Sequence, residues 1–265
     1  MKHRDIIESI RSKKGFISDM DGVIYHGNKI LPGVQEFVAW LKKENKHFLF
    51  LTNSSEKTPS ELKEKLSRMG INVEKNVFYT SALATAQFLN SQKPGGTAFI
   101  IGEAGLINAM YNVGYTMNNI DPDYVVFGES RSYSIEKIEK AVELVMKGAG
   151  LIGTNPDLTG PVEGGIIPAV KALIAPIELA TGKQAYFVGK PNPLMMRIAL
   201  KKLGCRREET IIIGDRMDTD IIAGIESEID TCLVLSGISD AKTVDEFPYK
   251  PHYILEGVNK ITEGL

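Results

Sequence analysis

The amino-acid sequence predicts an α/β fold with parallel sheets, and three observations support this prediction. Short apolar segments alternate with helical patterns along nearly the whole chain. Strands that are separated by helices usually pair in parallel. Clusters of polar residues directly follow several of the apolar segments, and the carboxyl ends of strands are where such sheets bind their ligands.

The first and last parts of the chain follow one alternating pattern. Gly70 and Gly204 mark the ends of two predicted helices, because glycine readily adopts the left-handed conformation that ends a helix. The predicted strands are 16–18, 47–51, 210–213, 231–235 and 252–254. The predicted helices are 32–45, 59–69, 192–203 and 219–225. We assign both parts to one core domain, formed by 1–81 and 183–265.

The middle of the chain repeats the α/β pattern with its own strands. Its predicted strands are 97–101, 124–127 and 151–153, and its predicted helices are 104–113, 135–147 and 167–181. Far more chain lies between Thr52 and Lys190 than one helical crossover requires. We therefore predict an inserted α/β domain at 82–182.

Composition and charge exclude several classes of protein. The chain has 265 residues, 43% of them hydrophobic, and a net charge of -2, so it shows no basic surface for nucleic acid. No apolar stretch approaches the roughly 18 residues that cross a membrane, and the charged N-terminus lacks the apolar core of a signal peptide. Cys205 and Cys232 do not have the spacing of a metal site, and we interpret them as cytosolic thiols. We expect a cytoplasmic protein that binds neither nucleic acid nor membrane.

Two carboxylates, Asp19 and Asp21, follow the apolar segment 15–18 and precede Gly22. Side chains alternate along a strand, so these two should start on the same side. Close, buried like charges are costly unless a cation or a shared proton compensates for them. The pair therefore indicates a metal site, or a nucleophile beside an acid/base, although a plain polar turn would give the same residues.

Two other predicted strand ends carry groups that could bind an anion. Thr52, Asn53 and Ser54 offer hydroxyl groups and backbone amides after a strand, which suits a phosphate cradle. Helix capping would explain the same residues. Lys190 ends a strand before Pro191 and would serve either as a phosphate-binding charge or as a surface lysine.

A third strand end is acidic. Asp215, Asp218 and Asp220 lie within six residues directly after the predicted strand 210–213. Oxygen ligands of this kind suit a hard divalent cation. An acidic helix N-terminus would explain Asp218 well but Asp215 poorly.

Together, these four clusters resemble in type and order the motifs of the haloacid dehalogenase (HAD) superfamily of phosphotransferases. The stretches 19–23, 51–53, 154–157 and 188–191 are similar to the NagD-type branch, which carries a large α/β cap. The resemblance covers about 15–262. It implies a Rossmann-like core with a parallel sheet and a C2-type cap inserted between the second and third motifs. This cap position differs from that of the mutase-like branch.

The resemblance also implies a role for each motif residue. Asp19 would be the nucleophile, and Asp21 the general acid and base. Mg²⁺ would be bound by the Asp19 and Asp215 carboxylates and the Asp21 backbone carbonyl. The residues expected to hold the phosphoryl group are Thr52, Asn53, Ser54 and Lys190. Asp220 would orient Lys190 or a metal-bound water.

The cap is expected to set specificity. Asn155 and Asp157 lie in the matched stretch 154–157 and are predicted to face the leaving group, although a plain Asn-Pro-Asp turn would look the same. Weaker candidates for contact with substrate are the loop 160–168, Glu129, Arg131 and His26.

The sequence thus predicts a Mg²⁺-dependent phosphomonoesterase that acts through an aspartyl-phosphate on small phosphorylated metabolites. The resemblance favours nucleoside 5′-monophosphates, with sugar phosphates as the alternative, and a homodimer is possible. A receiver-like signalling module would share the strand-end carboxylates, threonine and lysine. Asp21 argues against that module, because an acid/base beside the nucleophile would hydrolyse the phosphate that the module must keep.

Overall fold

The computed structural model describes residues 3–162 and 165–264, and the statements below concern these residues. The chain divides into two units. Unit 1 comprises Met1–Thr52, Lys63–Tyr79 and Lys190–Leu265, and unit 2 comprises Asn53–Leu62 and Thr80–Gly189. The predicted insertion, 82–182, falls within unit 2.

Strands and helices alternate along the chain, which confirms the predicted α/β class. The strands are β1 Gly15–Ser18, β2 Tyr25–His26, β3 Lys29–Ile30, β4 His47–Thr52, β5 Phe78–Thr80, β6 Thr97–Ile101, β7 Thr116–Met117, β8 Tyr124–Phe127, β9 Gly150–Gly153, β10 Thr159–Val162, β11 Gly165–Pro168, β12 Tyr186–Phe187, β13 Thr210–Gly214, β14 Asp230–Val234 and β15 Tyr253–Leu255. The helices are α1 His3–Ser12, α2 Val34–Lys43, α3 Pro59–Arg68, α4 Ser81–Gln92, α5 Ala104–Asn112, α6 Ile135–Met146, α7 Val170–Thr181, α8 Pro193–Leu203, α9 Ile222–Glu226, α10 Ala241–Asp245 and α11 Asn259–Thr262.

The sheet of unit 1 has the order β15-β14-β13-β1-β4-β5. Strand β1 lies at its centre and pairs in parallel with β13 on one side and β4 on the other. All four residues of β1 are buried, which explains why this strand is apolar without alternation. The carboxyl ends of β1, β4 and β13 therefore lie side by side.

Helix α2 covers one face of this sheet with an aromatic cluster. The rings of Phe16 and Trp40 meet edge to face with centroids 5.5 Å apart, and Phe37 stacks on Trp40 at 6.2 Å. Burial of one such side chain contributes about 1.5–3 kcal/mol. Helix α8 begins with the side-chain cap of Asn192 and ends at Gly204, whose φ of 73° is left-handed, as glycine permits.

Unit 2 contains a second parallel sheet, with the order β12-β9-β8-β6-β7. Helices α6 and α7 pack on it through a core that includes Phe127, Ile138 and Ile174. Strands β10 and β11 form a separate antiparallel pair. The candidate loop 160–168 falls on this pair, and its residues 163 and 164 lie outside the described residues.

Two helix predictions were wrong in detail. The predicted helix 167–181 begins only at Val170, because residues 167 and 168 belong to the paired strand β11. In place of the predicted helix 219–225, the chain forms a π-helical turn, Met217–Ile221, followed by the α-helix α9. Among the described helices, none combines the length and the apolar character that crossing a bilayer requires.

Candidate active site

Asp19 lies one residue beyond β1 and continues its pairing with β13. Its backbone N–H donates to the carbonyl oxygen of Ile213 at 2.8 Å. The residue is only 9% exposed. The sheet therefore holds this carboxylate at the centre of the carboxyl edge of unit 1, nearly out of water.

Lys190 places a buried cation beside Asp19. Its Nζ lies 2.6 Å from Asp19 Oδ1 and 2.6 Å from Asp220 Oδ1, and it also contacts the carbonyl oxygen of Leu51 at 3.4 Å. Burial opposes the charge of Lys190, but the two carboxylates outweigh burial and raise the pKa of the lysine. Lys190 is therefore a fixed ammonium group and not a surface lysine.

Asp215 differs from its neighbours because one of its oxygens is unused. Oδ2 accepts a hydrogen bond from the backbone N–H of Ile238 at 2.8 Å. Oδ1 is buried and has no hydrogen-bond partner among the described residues. A side chain at Gly22 or Gly237 would collide with this carboxylate. The two glycines thus let the backbone pack closely against this carboxylate, and Oδ1 stays a buried acceptor without a partner, which is costly unless a ligand uses it.

Three carboxylates meet at this point. One oxygen from each of Asp19, Asp215 and Asp220 lies within 4.8 Å of the others. Such an oxygen donor set, with one oxygen orphaned, fits a hard divalent cation. Both oxygens of Asp220 are engaged, by Lys190 at 2.6 Å and by the N–H of Arg216 at 3.2 Å. Asp220 therefore matches the predicted orienting role better than a ligand role.

Electrostatics show that the carboxylate charge in this cluster is undercompensated. Burial raises the pKa of Asp19 well above its usual range, Lys190 opposes that rise, and Asp220 and Asp215 add to it. Burial, reinforced by Asp220, raises the pKa of Asp215 to about 7, although the Ile238 N–H and Lys190 oppose the shift. An additional positive charge would stabilise the ionised forms.

Asp21 lies in a more open environment than Asp19. The strand ends at Ser18, and the chain turns at Met20, whose carbonyl oxygen accepts a hydrogen bond from the N–H of Ile24 at 2.8 Å. Strand alternation, on which the expectation that the two side chains start on the same side was based, therefore does not extend to Asp21. The Asp21 side chain is 41% exposed. Burial raises its pKa, while Lys65 and His26 oppose the rise.

His26 connects Asp21 to the neighbouring loop. Its Nδ1 lies 3.7 Å from Asp21 Oδ1, and its Nε2 lies 2.7 Å from the carbonyl oxygen of Ser236. A carbonyl only accepts, so Nε2 carries the hydrogen and Nδ1 is the nitrogen that faces the carboxyl group. The structure thus brings this weaker candidate to the site.

The predicted phosphate loop is divided between the two units. Thr52 is the last residue of β4 in unit 1 and is 7% exposed. Asn53 and Ser54 belong to unit 2. There, the side-chain Nδ2 of Asn53 donates to Asp157 Oδ2 at 3.1 Å and to Oδ1 at 3.3 Å. Ser54 Oγ accepts a hydrogen bond from the N–H of Glu56 at 3.4 Å.

Asn155 is wholly buried in unit 2, and its side chain is engaged on both sides. Nδ2 donates to the carbonyl oxygen of Asn53 at 2.8 Å and to Glu129 Oε1 at 2.9 Å. Oδ1 accepts from the N–H of Asp157 at 3.2 Å. These bonds favour a supporting role for Asn155 over the predicted contact with the leaving group.

Glu129 is more closely integrated into unit 2 than the sequence indicated. It follows β8 and accepts hydrogen bonds from both the N–H and the hydroxyl group of Ser55. Burial raises the pKa of this carboxyl group, and the bonds from Ser55 and Asn155 oppose the rise. Arg131 is exposed, with its Nε 3.7 Å from Glu56 Oε1. A single acidic residue after a strand was the signal for Glu129, and its distant partner cannot be read from sequence.

Comparison with protein families agrees with this geometry. A model described as "Haloacid dehalogenase-like hydrolase" matches residues 16–116, and one described as "HAD-hyrolase-like" matches residues 187–261. These two segments contain all the polar groups of unit 1 described above.

Individual relatives match over almost the whole chain. Dihydroxyacetone phosphatase of Corynebacterium glutamicum is 42% identical, over 94% of this chain and 90% of the relative. Ribonucleotide monophosphatase NagD of Escherichia coli is 41% identical, over 94% and 98%. The solved structure of NagD from Escherichia coli K-12 has a TM-score of 0.88 at 40% identity and the same coverage. Glycerol phosphate phosphatase of Mycobacterium tuberculosis, solved in complex with magnesium, has a TM-score of 0.90 at 26% identity and covers 96% of this chain and 78% of that one.

Motif order, buried charge cluster and near full-length similarity all agree. The chain belongs to the haloacid dehalogenase-like hydrolases, as a phosphatase of the NagD-like branch.

Proposed function

We propose that the protein hydrolyses small phosphomonoesters with Mg²⁺ through a phosphorylated Asp19. The observation that carries the proposal is the buried cluster of unit 1. It combines a carboxylate bonded to a fixed ammonium group with an orphaned oxygen on Asp215. A structural ion pair needs no such open oxygen, whereas a phosphoryl-transfer site needs both a nucleophile and charge compensation.

Asp19 is suited to attack phosphorus. Lys190 occupies Asp19 Oδ1, which leaves Oδ2 for the reacting phosphorus atom. Attack forms the aspartyl–phosphorus bond while the bond to the leaving oxygen breaks in line. Lys190 holds its charge throughout because Asp19 and Asp220 raise its pKa, so it offsets negative charge on the transferring group.

Asp21 is the proposed proton carrier. Its raised pKa favours the protonated form that an acid needs, and it is open enough for a leaving group to approach. In the first step its proton passes to the departing alkoxide. In the second step the same carboxylate takes a proton from the water that attacks the phosphorylated Asp19, and inorganic phosphate leaves.

The metal site is proposed on the same residues. Mg²⁺ would be held by the carboxylates of Asp19 and Asp215 and the backbone carbonyl of Asp21, and when bound it neutralises phosphoryl charge. Thr52, Asn53 and Ser54 are proposed to donate hydrogen bonds to the phosphoryl oxygens, together with Lys190. The magnesium in the mycobacterial relative supports the choice of ion.

Nucleoside 5′-monophosphates are the first proposed substrates, with sugar phosphates as the alternative. The relatives support both, since one is named for ribonucleotides and another for dihydroxyacetone phosphate at nearly the same identity. Both classes carry hydroxyl groups, for which the carboxylate of Asp157 is the proposed acceptor. Location in the cytoplasm and assembly into a homodimer stay predictions.

The test is a phosphatase assay in two stages. Turnover of p-nitrophenyl phosphate should require a divalent cation, disappear with EDTA and return with Mg²⁺. Ranking kcat/KM over nucleoside monophosphates, dihydroxyacetone phosphate and hexose phosphates then identifies the substrate class. Metal-independent turnover would refute the metal site, and a single stoichiometric phosphorylation without turnover would refute the phosphatase.

A further inference from the structure

A partly buried carboxylate of unit 2, Glu129, accepts hydrogen bonds from neutral donors whose own side chains are fully buried. Oε2 accepts from the N–H of Ser55 at 2.9 Å and from its hydroxyl group, and Oε1 accepts from Asn155 Nδ2 at 2.9 Å. Withdrawing a carboxylate even partly from water costs free energy, and hydrogen bonds from neutral donors offset part of that cost. The Glu129 carboxylate is therefore expected to have a role beyond packing.

The bonds converge on Ser55, which is completely buried. Its hydroxyl group also accepts from the N–H of Glu129 at 3.2 Å and from Thr154 Oγ1 at 3.3 Å. A side chain at Gly105, at the start of α5, would collide with the Ser55 carbonyl oxygen. Segments that follow β6, β8 and β9 therefore all hold one serine.

The position of this serine in the chain gives the cluster its significance. Thr52 ends β4 in unit 1, and Asn53 is the first residue of unit 2. Ser55 follows two residues later. Asn155 also holds the carbonyl oxygen of Asn53 at 2.8 Å. The bonds of Glu129 and Asn155 thus fix the chain directly after the proposed phosphate-binding threonine.

We propose that Glu129 is a positioning residue for the phosphate-binding loop 52–54. By clamping Ser55 and Asn155 it holds Asn53 and Ser54 in one conformation, so that their donors are preorganised for the phosphoryl oxygens. The inference rests on the proposed phosphatase function and assigns Glu129 no contact with substrate.

The chemistry of the clamp requires a carboxylate. Both of its oxygens face donors, the Ser55 N–H and hydroxyl group on one side and the Asn155 amide on the other. Glutamine has the same shape but would turn an NH₂ group toward one of these donors. Glu129→Gln therefore breaks one arm of the clamp while it removes a partly buried charge.

The experiment compares Glu129→Gln with a matched control, Glu103→Gln. Glu103 also follows a strand of unit 2, but its side chain accepts from the N–H of Arg131 at 2.6 Å. We expect Glu129→Gln to lower kcat/KM for p-nitrophenyl phosphate about 10-fold and to raise the inhibition constant of inorganic phosphate similarly. Glu103→Gln should stay within about 2-fold of wild type in both measurements.

Ser55→Ala provides a second route to the same loop. If both residues act through one clamp, the double variant should lose little more activity than the more impaired single variant. Thermal unfolding, followed in parallel, ensures that every variant is folded at the assay temperature. Folded Glu129→Gln with wild-type kcat/KM and phosphate inhibition would overturn the clamp while leaving the phosphatase intact. Absence of turnover in wild type would instead overturn the proposed function.

Discussion

Each unit of this protein has a cluster of buried polar groups at the carboxyl ends of its parallel strands, and the two clusters are built differently. In unit 1, Asp19 and Asp220 share one lysine, and the neighbouring Asp215 has its Oδ1 left without a hydrogen-bond partner among the described residues. In unit 2, both oxygens of Glu129 accept from neutral donors.

This difference indicates which cluster is suited to bind and react with a ligand and which is suited to support the backbone. A buried oxygen without a hydrogen bond has lost its hydration, and a ligand that binds to it would offset this cost in free energy. A carboxylate with both oxygens bonded to neutral donors is suited to hold the backbone, and it binds an ion less readily than an oxygen that has no hydrogen bond at all. We therefore place the reaction on the cluster of unit 1 and the positioning role on the cluster of unit 2.

The largest expected effect comes from Asp19→Asn. An amide cannot attack phosphorus as a carboxylate does, so kcat should fall by more than about 10³-fold, which exceeds the usual loss of one transition-state hydrogen bond. Steady-state turnover of p-nitrophenyl phosphate measures this. Asp218→Asn is the matched control, because Asp218 belongs to the acidic run but is half-exposed and pairs with Arg216. Near-normal turnover by Asp19→Asn would exclude it as the nucleophile.

The next effect is expected from Lys190→Met. It leaves two buried carboxylates without their cation, which typically costs about 3–5 kcal/mol in the free energy of unfolding. It should also reduce kcat/KM about 10²–10³-fold. Urea denaturation and steady-state kinetics measure the two effects separately.

Comparison with Glu129→Gln sharpens this prediction. Loss of a hydrogen-bond partner among neutral groups costs only about 1–3 kcal/mol, so Lys190→Met should be the more destabilising change. The double variant Lys190→Met/Asp220→Asn should recover part of the lost stability, because it removes one unpaired charge. Equal losses for Lys190→Met and Glu129→Gln would contradict the proposed difference between the clusters.

The unit 1 cluster could be anticipated from sequence because parallel strands bring their carboxyl ends together. Asp19, Lys190 and Asp215 each follow an apolar segment, and this pattern alone indicated that they would meet. The unit 2 clamp could not be anticipated in this way. Glu129 and Ser55 are 74 residues apart, and neither carries a local signal that distinguishes a clamp from a turn.

The sequence also did not predict the local backbone geometry at two places. Strand alternation was expected to start Asp19 and Asp21 on the same side, but the chain turns at Met20, and the two carboxyl groups acquire different exposure. That difference agrees with the roles proposed for them, Asp19 as nucleophile and Asp21 as acid. The strand β11 likewise replaced the first turn of a predicted helix, because its pairing with β10 depends on residues that periodicity does not connect.

The smallest expected effect concerns pH and metal. The raised pKa values of Asp215, about 7, and of Glu129 mean that the folded protein binds these protons more tightly than the unfolded chain does. Without metal, the contribution of Asp215 to stability should therefore decline as pH rises from about 4 to 7. Mg²⁺ at the unit 1 cluster competes with that proton, so it should raise Tm by several degrees at pH 8 and by less at pH 5.5.

The effect of Mg²⁺ on Tm also distinguishes the two clusters. Asp215→Asn should abolish the Mg²⁺-dependent rise in Tm, since it removes a ligand together with its charge. Glu129→Gln should keep that rise, because Glu129 bonds to Ser55 and Asn155 and does not belong to the group of carboxylates proposed to hold the ion. Thermal scans at both pH values, with EDTA or Mg²⁺, measure these responses. A Mg²⁺ effect that disappears in Glu129→Gln but persists in Asp215→Asn would reverse the assignment of the two clusters.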